Sequence, residues 1–164
     1  MTKGLLDLQK IRAIANYQFG KDVGHALFPD EAKIIHSKKT KRVRHIYLEG
    51  KLLATLRPTD GMFSLTISGA KRLTSILEKP RLRVVVQEDV EKFIVEGRNV
   101  FSRHVVVADQ EIRAGEEVII TNKNDDVLAV GKALLTGKEM LVFKRGIAVK
   151  VRRGVGEEER RCGE

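Results

Sequence analysis

Apolar residues at Leu5, Leu8, Ile11 and Ala15 recur every three or four positions, with Leu6 and Ile14 widening the stripe. That spacing predicts an amphipathic helix over residues 4–18, and Gly20 and Gly24 are expected to end it. Beyond them the pattern changes to short apolar runs, which predict strands over 32–37, 43–49 and 52–57, separated by a Lys-rich turn and by Glu49-Gly50. Pro58-Thr59-Asp60-Gly61 reads as a turn, with Pro at its second position and Gly at its last. A returning strand over 62–67 then leads, with Ser68 as N-cap, into a helix over 69–77. The first half therefore reads as one helix on an antiparallel sheet.

Glu78-Lys79-Pro80 punctuates the chain, and the rhythm after it is different. Six short strands are expected around 81–86, 99–101, 104–108, 117–122, 127–134 and 147–152, a spacing that favours a small barrel or sandwich. A helix over 88–96 should carry Val90, Phe93 and Ile94 on its inner side and end at Gly97. The expected organisation is an α+β chain: residues 1–79 as one domain, 80–153 as a second, and 154–164 as a disordered tail that alternates Gly with charge and lacks apolar anchors.

Composition narrows the partners. Of 164 residues 42% are hydrophobic and 32% charged, which suits a folded intracellular chain, and the net charge of +9 favours a polyanion, because Lys and Arg displace counterions condensed on phosphates. The charge is uneven: residues 1–79 hold 15 Lys/Arg against 7 Asp/Glu, whereas 80–164 hold 16 against 15. The one cysteine, Cys162, allows neither an intrachain disulfide nor a thiolate metal cluster, and no apolar run is long enough for a membrane span or a signal peptide. A cytoplasmic location follows as an expectation, with no cofactor, metal or membrane partner. The richness in Lys, Arg and Glu leans toward a thermophilic source.

Catalytic signals are sparse. His25, His36, His45 and His104 lack the paired spacing of a zinc helix, and neither a nucleophile elbow nor a phosphate loop occurs. Asp22, Asp60 and Asp89 are the acids to weigh for acid/base work, against the plainer reading of turn and cap residues. The sharpest charge feature is His36 to His45, where Lys38, Lys39, Lys41, Arg42 and Arg44 occur with no acid among them. Such a run is either a solvated face or a phosphate-binding hairpin tip, and Lys71 and Arg72 extend it under the second reading. In the second half, Gly97-Arg98-Asn99-Val100-Phe101-Ser102-Arg103-His104 is either a plain connection with Val100 and Phe101 in the core, or a loop whose exposed amides grip a nucleic-acid strand beside Arg98 and Arg103. Lys144-Arg145-Gly146 is a second basic turn with the same two readings. Aromatics at 5% argue against extensive base stacking and for backbone and shape recognition.

Residues 82–153 resemble the PUA domain of pseudouridine synthases and archaeosine transglycosylases, most closely that ending archaeal tRNA-guanine transglycosylase. The likeness rests on Phe93-Ile-Val-Glu-Gly-Arg-Asn-Val-Phe101, Ile112-Arg-Ala-Gly-Glu-Glu-Val118, Leu128-Ala-Val-Gly-Lys-Ala133 and the stretch Gly137 to Lys150. The first half resembles the domain preceding PUA in that family, through Ala15-Asn-Tyr-Gln-Phe-Gly20, Lys38-Lys-Thr-Lys-Arg-Val-Arg44 and Pro58-Thr-Asp-Gly-Met-Phe63 leading to Gly69-Ala-Lys-Arg-Leu73. The resemblance implies a cystatin-like helix cupped by an antiparallel sheet, followed by a PUA-type mixed β pseudo-barrel. It also implies that the acceptor end of tRNA is held at Gly97, Arg98, Asn99, Phe101 and Arg103, with Lys144-Arg145-Gly146 as a second wall. The family's catalytic barrel has no counterpart in this sequence, so base exchange by the chain alone is not expected. The implied role is that of a non-catalytic tRNA-binding protein, a candidate accessory subunit for a separately encoded tRNA-modifying enzyme. The alternatives are a ribosome- or initiation-associated adaptor and a minimal enzyme acting on RNA through Asp60 or Asp89.

Overall fold

The computed structural model describes residues 2–162. The chain divides into two compact units, one ending at Leu77 and the next starting at Glu78. The first opens with α1 (Lys3–Phe19), whose N-cap Thr2 accepts the Leu5 amide. Its buried stripe is Leu8, Ile11, Ala15 and Phe19, displaced toward the C-terminus from the expected one. Leu5 and Leu6 are 45% and 51% exposed, because the first turn of α1 extends past the apolar surface it packs on. Gly24 does not break helical structure. It lies inside a second helix, α2 (Val23–Leu27), where a Cβ would meet the Arg12 carbonyl oxygen at 2.2 Å, so glycine allows α2 to touch the α1 backbone.

Strands β1 (Lys33–His36), β2 (Val43–Leu48), β3 (Lys51–Leu56) and β4 (Phe63–Leu65) follow in order as an antiparallel meander. Helix α3 (Ile67–Ile76) starts from Thr66, not from the expected Ser68: Thr66 Oγ1 accepts the Gly69 amide and also donates to β3 carbonyls, fixing the helix start to the sheet. Ile11, Phe19, Leu27, Phe28, Ile46, Phe63 and Leu73 form the dry interior of this unit. It is the expected helix-on-antiparallel-sheet arrangement.

The second unit contains β5 (Arg83–Val86), a 3₁₀ turn at Glu88–Val90, the single-turn α4 (Glu91–Ile94), β6 (Val100–Phe101), a 3₁₀ turn at Ser102–His104, and β7 (Val105–Ala108). Then come β8 (Glu117–Thr121), β9 (Val127–Ala133), α5 (Gly137–Val142), β10 (Ile147–Gly154) and α6 (Val155–Cys162). Six strands form one sheet in the order β6-β10-β9-β8-β5-β7, with only β5 and β8 parallel. The two outermost strands, β6 and β7, are consecutive in sequence and joined by the three residues Ser102–His104. A connection that short brings the sheet's ends together, so the sheet curls into a nearly closed mixed barrel. Val84, Val100, Val118, Ile120, Ala148 and Val149 fill it.

Three expectations are corrected here. Phe93 is 49% exposed and not on the inner side of its helix, because only one α-turn forms and Val90 and Ile94 take the core positions. Helix α5, absent from the expected elements, is held by a capping box between Thr136 and Glu139. Residues 155–162 of the supposed disordered tail are helical, anchored by polar contacts instead of apolar ones: the Gly156 amide donates to the Val95 carbonyl (2.9 Å), Glu157 accepts the Gly154 amide (2.9 Å), and Arg160 pairs with Glu96. The remainder of that tail, residues 163 and 164, and the Cys162 side chain lie outside the described residues.

Candidate nucleic-acid interface

In the first unit the basic run is a structured hairpin tip. The Ser37 amide donates to the Arg42 carbonyl and the Lys41 amide to the Ser37 carbonyl, both at 2.8 Å, while Ser37 Oγ accepts the Thr40 amide. Lys41 adopts φ 65° to close the loop. The flanking histidines are anchors: His36 Nε2 lies 2.7 Å from Asp7 Oδ2 on α1, and His45 Nδ1 lies 3.2 Å from Thr55 Oγ1. Lys38, Lys39, Lys41 and Arg42 are left exposed between them, and Arg44, half-buried, donates to the Leu56 carbonyl at 3.3 Å.

Beside this tip is a groove of about 410 Å³. Lys39, Arg42 and Arg44 line it, together with two cations that the sequence pattern does not single out, Lys10 from α1 and Arg57 from the end of β3. Helical periodicity from Leu5 to Ala15 places Lys10 on the polar face, but nothing in the local sequence indicates that a distant hairpin would face it. Lys71 and Arg72 do not line the groove. Lys71 is exposed on α3, and the Arg72 guanidinium donates to the Ala26 and Leu27 carbonyls (2.6 and 3.0 Å), serving as the C-terminal cap of α2.

In the second unit Phe101, Arg103, Lys144, Arg145 and Gly146 converge on one cleft of about 300 Å³. The Ser102 amide donates to the Gly146 carbonyl at 3.0 Å, which ties the basic turn to the 3₁₀ turn after β6. Val100 and Phe101 separate as successive strand residues must: Val100 is fully buried, while Phe101 is 42% exposed. The Arg103 guanidinium sits 5.7 Å from the Phe101 ring centroid, and the His104 ring stands edge-on to that ring at 6.3 Å. An aromatic face flanked by cations results.

Gly97, Arg98 and Asn99 lie outside that cleft's lining. Asn99 Oδ1 accepts the Val151 amide at 3.0 Å, bridging β10 where its pairing is irregular. The Gly97 and Arg98 amides donate to the Ile94 and Phe93 carbonyls, so they are engaged within the chain. Gly97 has φ 96°, and a Cβ there would lie 2.3 Å from the Glu157 carboxylate. Arg98 remains exposed.

The acids considered for catalysis are turn residues. Asp60 accepts the Met62 amide (2.9 Å) and Arg57 Nε (3.1 Å). Burial is the largest single influence on its pKa and raises it, but the Met62 amide and Arg57 together outweigh burial and hold the carboxyl below its ordinary 3.8. A general base near neutral pH needs the opposite shift. Asp22 is the αL N-cap of α2, and Asp89 lies exposed in the 3₁₀ turn. Among the described residues no three His, Cys, Asp or Glu side chains form a metal-sized cluster, and no helix is long and apolar enough to cross a membrane.

The rolled mixed sheet, with a cation-flanked aromatic at the junction of its ends, defines the second unit as a PUA domain, whose family model matches residues 82–155. Residues 9–80 match the patch-forming domain C2 of tRNA-guanine transglycosylase. The chain thus carries a PUA domain preceded by a patch-forming C2 domain, and it matches the C-terminal pre-PUA and PUA part of archaeal tRNA-guanine(15) transglycosylases. It is 50% identical over 145 residues to tRNA-guanine(15) transglycosylase of Thermococcus kodakarensis and 47% identical over 149 residues to that of Methanobrevibacter smithii, covering 88% and 91% of this chain but 25% and 23% of those enzymes. The chain spans about a quarter of the length of these relatives. Among solved structures, a hypothetical protein of Pyrococcus horikoshii matches with TM-score 0.77 and 25% identity over 97% of this chain and 96% of that one. A PUA-domain protein of Thermoplasma acidophilum, at TM-score 0.67 and 20% identity over 98% and 96%, shares the fold.

Proposed function

We propose that the chain is a non-catalytic tRNA-binding protein that supplies RNA grip to a separately encoded tRNA-modifying enzyme of the transglycosylase type. The observation that carries this reading is how its cations are divided. Arg12, Arg57, Arg81, Arg83, Arg152 and Arg160 each form an ion pair with a carboxylate. Lys10, Lys38, Lys39, Lys41 and Arg42 at the first site, and Arg103, Lys144 and Arg145 at the second, have no carboxylate partner among the described residues. Unpaired cations grouped on structured turns repel one another and favour a phosphate backbone, which releases counterions when they bind it. Similarity to tRNA-guanine(15) transglycosylases directs the choice of RNA toward tRNA.

A gel-shift salt titration against total tRNA tests this. The wild-type chain should lose affinity steeply as salt rises, and replacing Lys38, Lys39, Lys41, Arg42 and Arg44 by Ala should flatten that slope by roughly 0.7 to 0.9 for each phosphate no longer neutralised. Arg98→Ala with Arg103→Ala should weaken intact tRNA more than tRNA trimmed of its acceptor end. Unchanged low-salt affinity in the quintuple variant rejects the hairpin site. Equal loss on both tRNAs rejects an acceptor-end role for the arginine pair.

A further inference from the structure

The groove beside the hairpin tip holds more than charge. Its volume, about 410 Å³, falls within the roughly 300–1,000 Å³ of cavities that enclose small ligands. Its floor is apolar: Val43 and Leu56 are 6% and 8% exposed, and Ile14 and Pro58 extend the surface outward. A phosphate backbone crossing the site gains nothing from such a floor, since its oxygens would lose water without hydrogen-bond partners there.

The cations around the floor are of two kinds. Arg44 and Arg57 are held in place, Arg44 by the Leu56 carbonyl (3.3 Å) and Arg57 by Asp60 and the Ser64 hydroxyl (3.1 and 3.4 Å). Both guanidinium groups are held by hydrogen bonds, and Asp60 offsets the charge of Arg57, so their planes can also stack on a base. Lys10, Lys39 and Arg42 have no carboxylate partner among the described residues and so retain their charge for phosphate.

Resting on the RNA-binding reading above, we propose that this groove receives one unstacked nucleotide of the bound RNA. Its base lies on Ile14, Val43, Leu56 and Pro58, and its flanking phosphates meet Lys10, Lys39 and Arg42. A base paired and stacked in a duplex does not reach such a floor, whereas single-stranded and bulged bases can be splayed out and packed against guanidinium planes. The first unit thereby distinguishes an RNA with an extrahelical nucleotide from a plain stem of equal charge.

Two RNA hairpins of identical stem sequence, each closed by a non-nucleotide linker so that no loop base is unstacked, and one carrying a single 2-aminopurine bulge, provide the test with the full chain. The bulged hairpin should bind about fivefold tighter, the lower end of what stacking one base contributes, and its 2-aminopurine emission should change on binding. Ile14→Trp fills the floor and should abolish the preference while leaving plain-hairpin affinity within about twofold. Should that variant not fold, as its thermal melt would show, Pro58→Trp at the exposed rim must give the same loss. Equal affinity for both hairpins, with unchanged emission, overturns the nucleotide site while leaving RNA binding intact. Failure of both hairpins and of tRNA to bind overturns the RNA-binding reading as well.

Discussion

Arg83 is 2% exposed, and its buried guanidinium is well partnered: Asp125 accepts from Nε at 2.7 Å and from Nη2 at 3.0 Å, and the Arg81 carbonyl accepts from Nη1. Two such bonds in parallel fix β5 to the turn between β8 and β9, where Asp125 itself adopts φ 65°. Asp125→Ala removes the carboxylate and leaves a buried cation short of its counter-charge, so it should cost about 3 kcal/mol in urea unfolding. Asp125→Asn, which keeps one acceptor, should cost less. Gly97 is a second sensitive position: Gly97→Ala places a Cβ at φ 96° against the Glu157 carboxylate and should destabilise the chain by about 1–3 kcal/mol, read as a lowered thermal midpoint. If Glu157→Ala is added, the steric part of that loss should be relieved and the backbone part should remain. The sequence does show that Gly97 suits a left-handed cap. It does not show what stands against it, because the carboxylate comes from a distant part of the chain.

Among the elements, the turn between β3 and β4 shows what local chemistry determines. Pro58, Asp60 and Gly61 mark it in the sequence, and in the fold Asp60 joins its two sides by accepting from Arg57 and from the Met62 amide. The Asp60 pKa is lower in the folded chain than its ordinary value, so the carboxylate's contribution to stability is complete above that ordinary value and is lost as pH falls through the folded pKa. Asp60→Asn should therefore lower stability at neutral pH and make the difference from wild type shrink below about pH 4, as pH-dependent melts would reveal. A difference that is constant from pH 7 to pH 2 would show that charge is not involved. The long helices, the meander and most strands of the second unit are legible for the same reason as this turn: their periods and punctuation are local. Helix α2 is not legible, because its Gly24 reads as a breaker until the Arg12 backbone is seen against it. Helix α6 escapes the pattern because its anchors, the Val95 backbone carbonyl and the Glu96 carboxylate, are polar and distant. Helix α5 has a local signal, Thr136 and Glu139 in capping-box spacing, which the apolar pattern alone does not reveal.

For the whole molecule, the asymmetry of charge between the halves is visible in the sequence, but the state of each cation is not. Three of the paired arginines find their partners far away: Arg83 and Asp125 are 42 residues apart, Arg152 and Glu117 are 35, and Arg160 and Glu96 are 64. Counting charge therefore overstates the free cation supply of the second unit's arginines and does not reveal that Lys10 lies beside the hairpin in the first. Among the cations without a carboxylate partner among the described residues, two groups gather on structured turns, one at the hairpin tip and one at the Phe101 cleft, each within its own unit. If both engage one tRNA, their counterion terms belong to a single binding event and add in the salt slope. Replacing Arg103, Lys144 and Arg145 by Ala should then flatten the slope by about 0.7 to 0.9 for each phosphate they neutralise. Combining these with the five hairpin substitutions should give the sum of the two separate losses within error, at a binding stoichiometry that stays at one chain per tRNA. If the groups bind separate molecules, each single-site variant would keep the full slope of the site left intact, and titration of the wild type would pass through a second, independent transition. Measuring log affinity against log salt for the wild type, the two single-site variants and the combination distinguishes these outcomes.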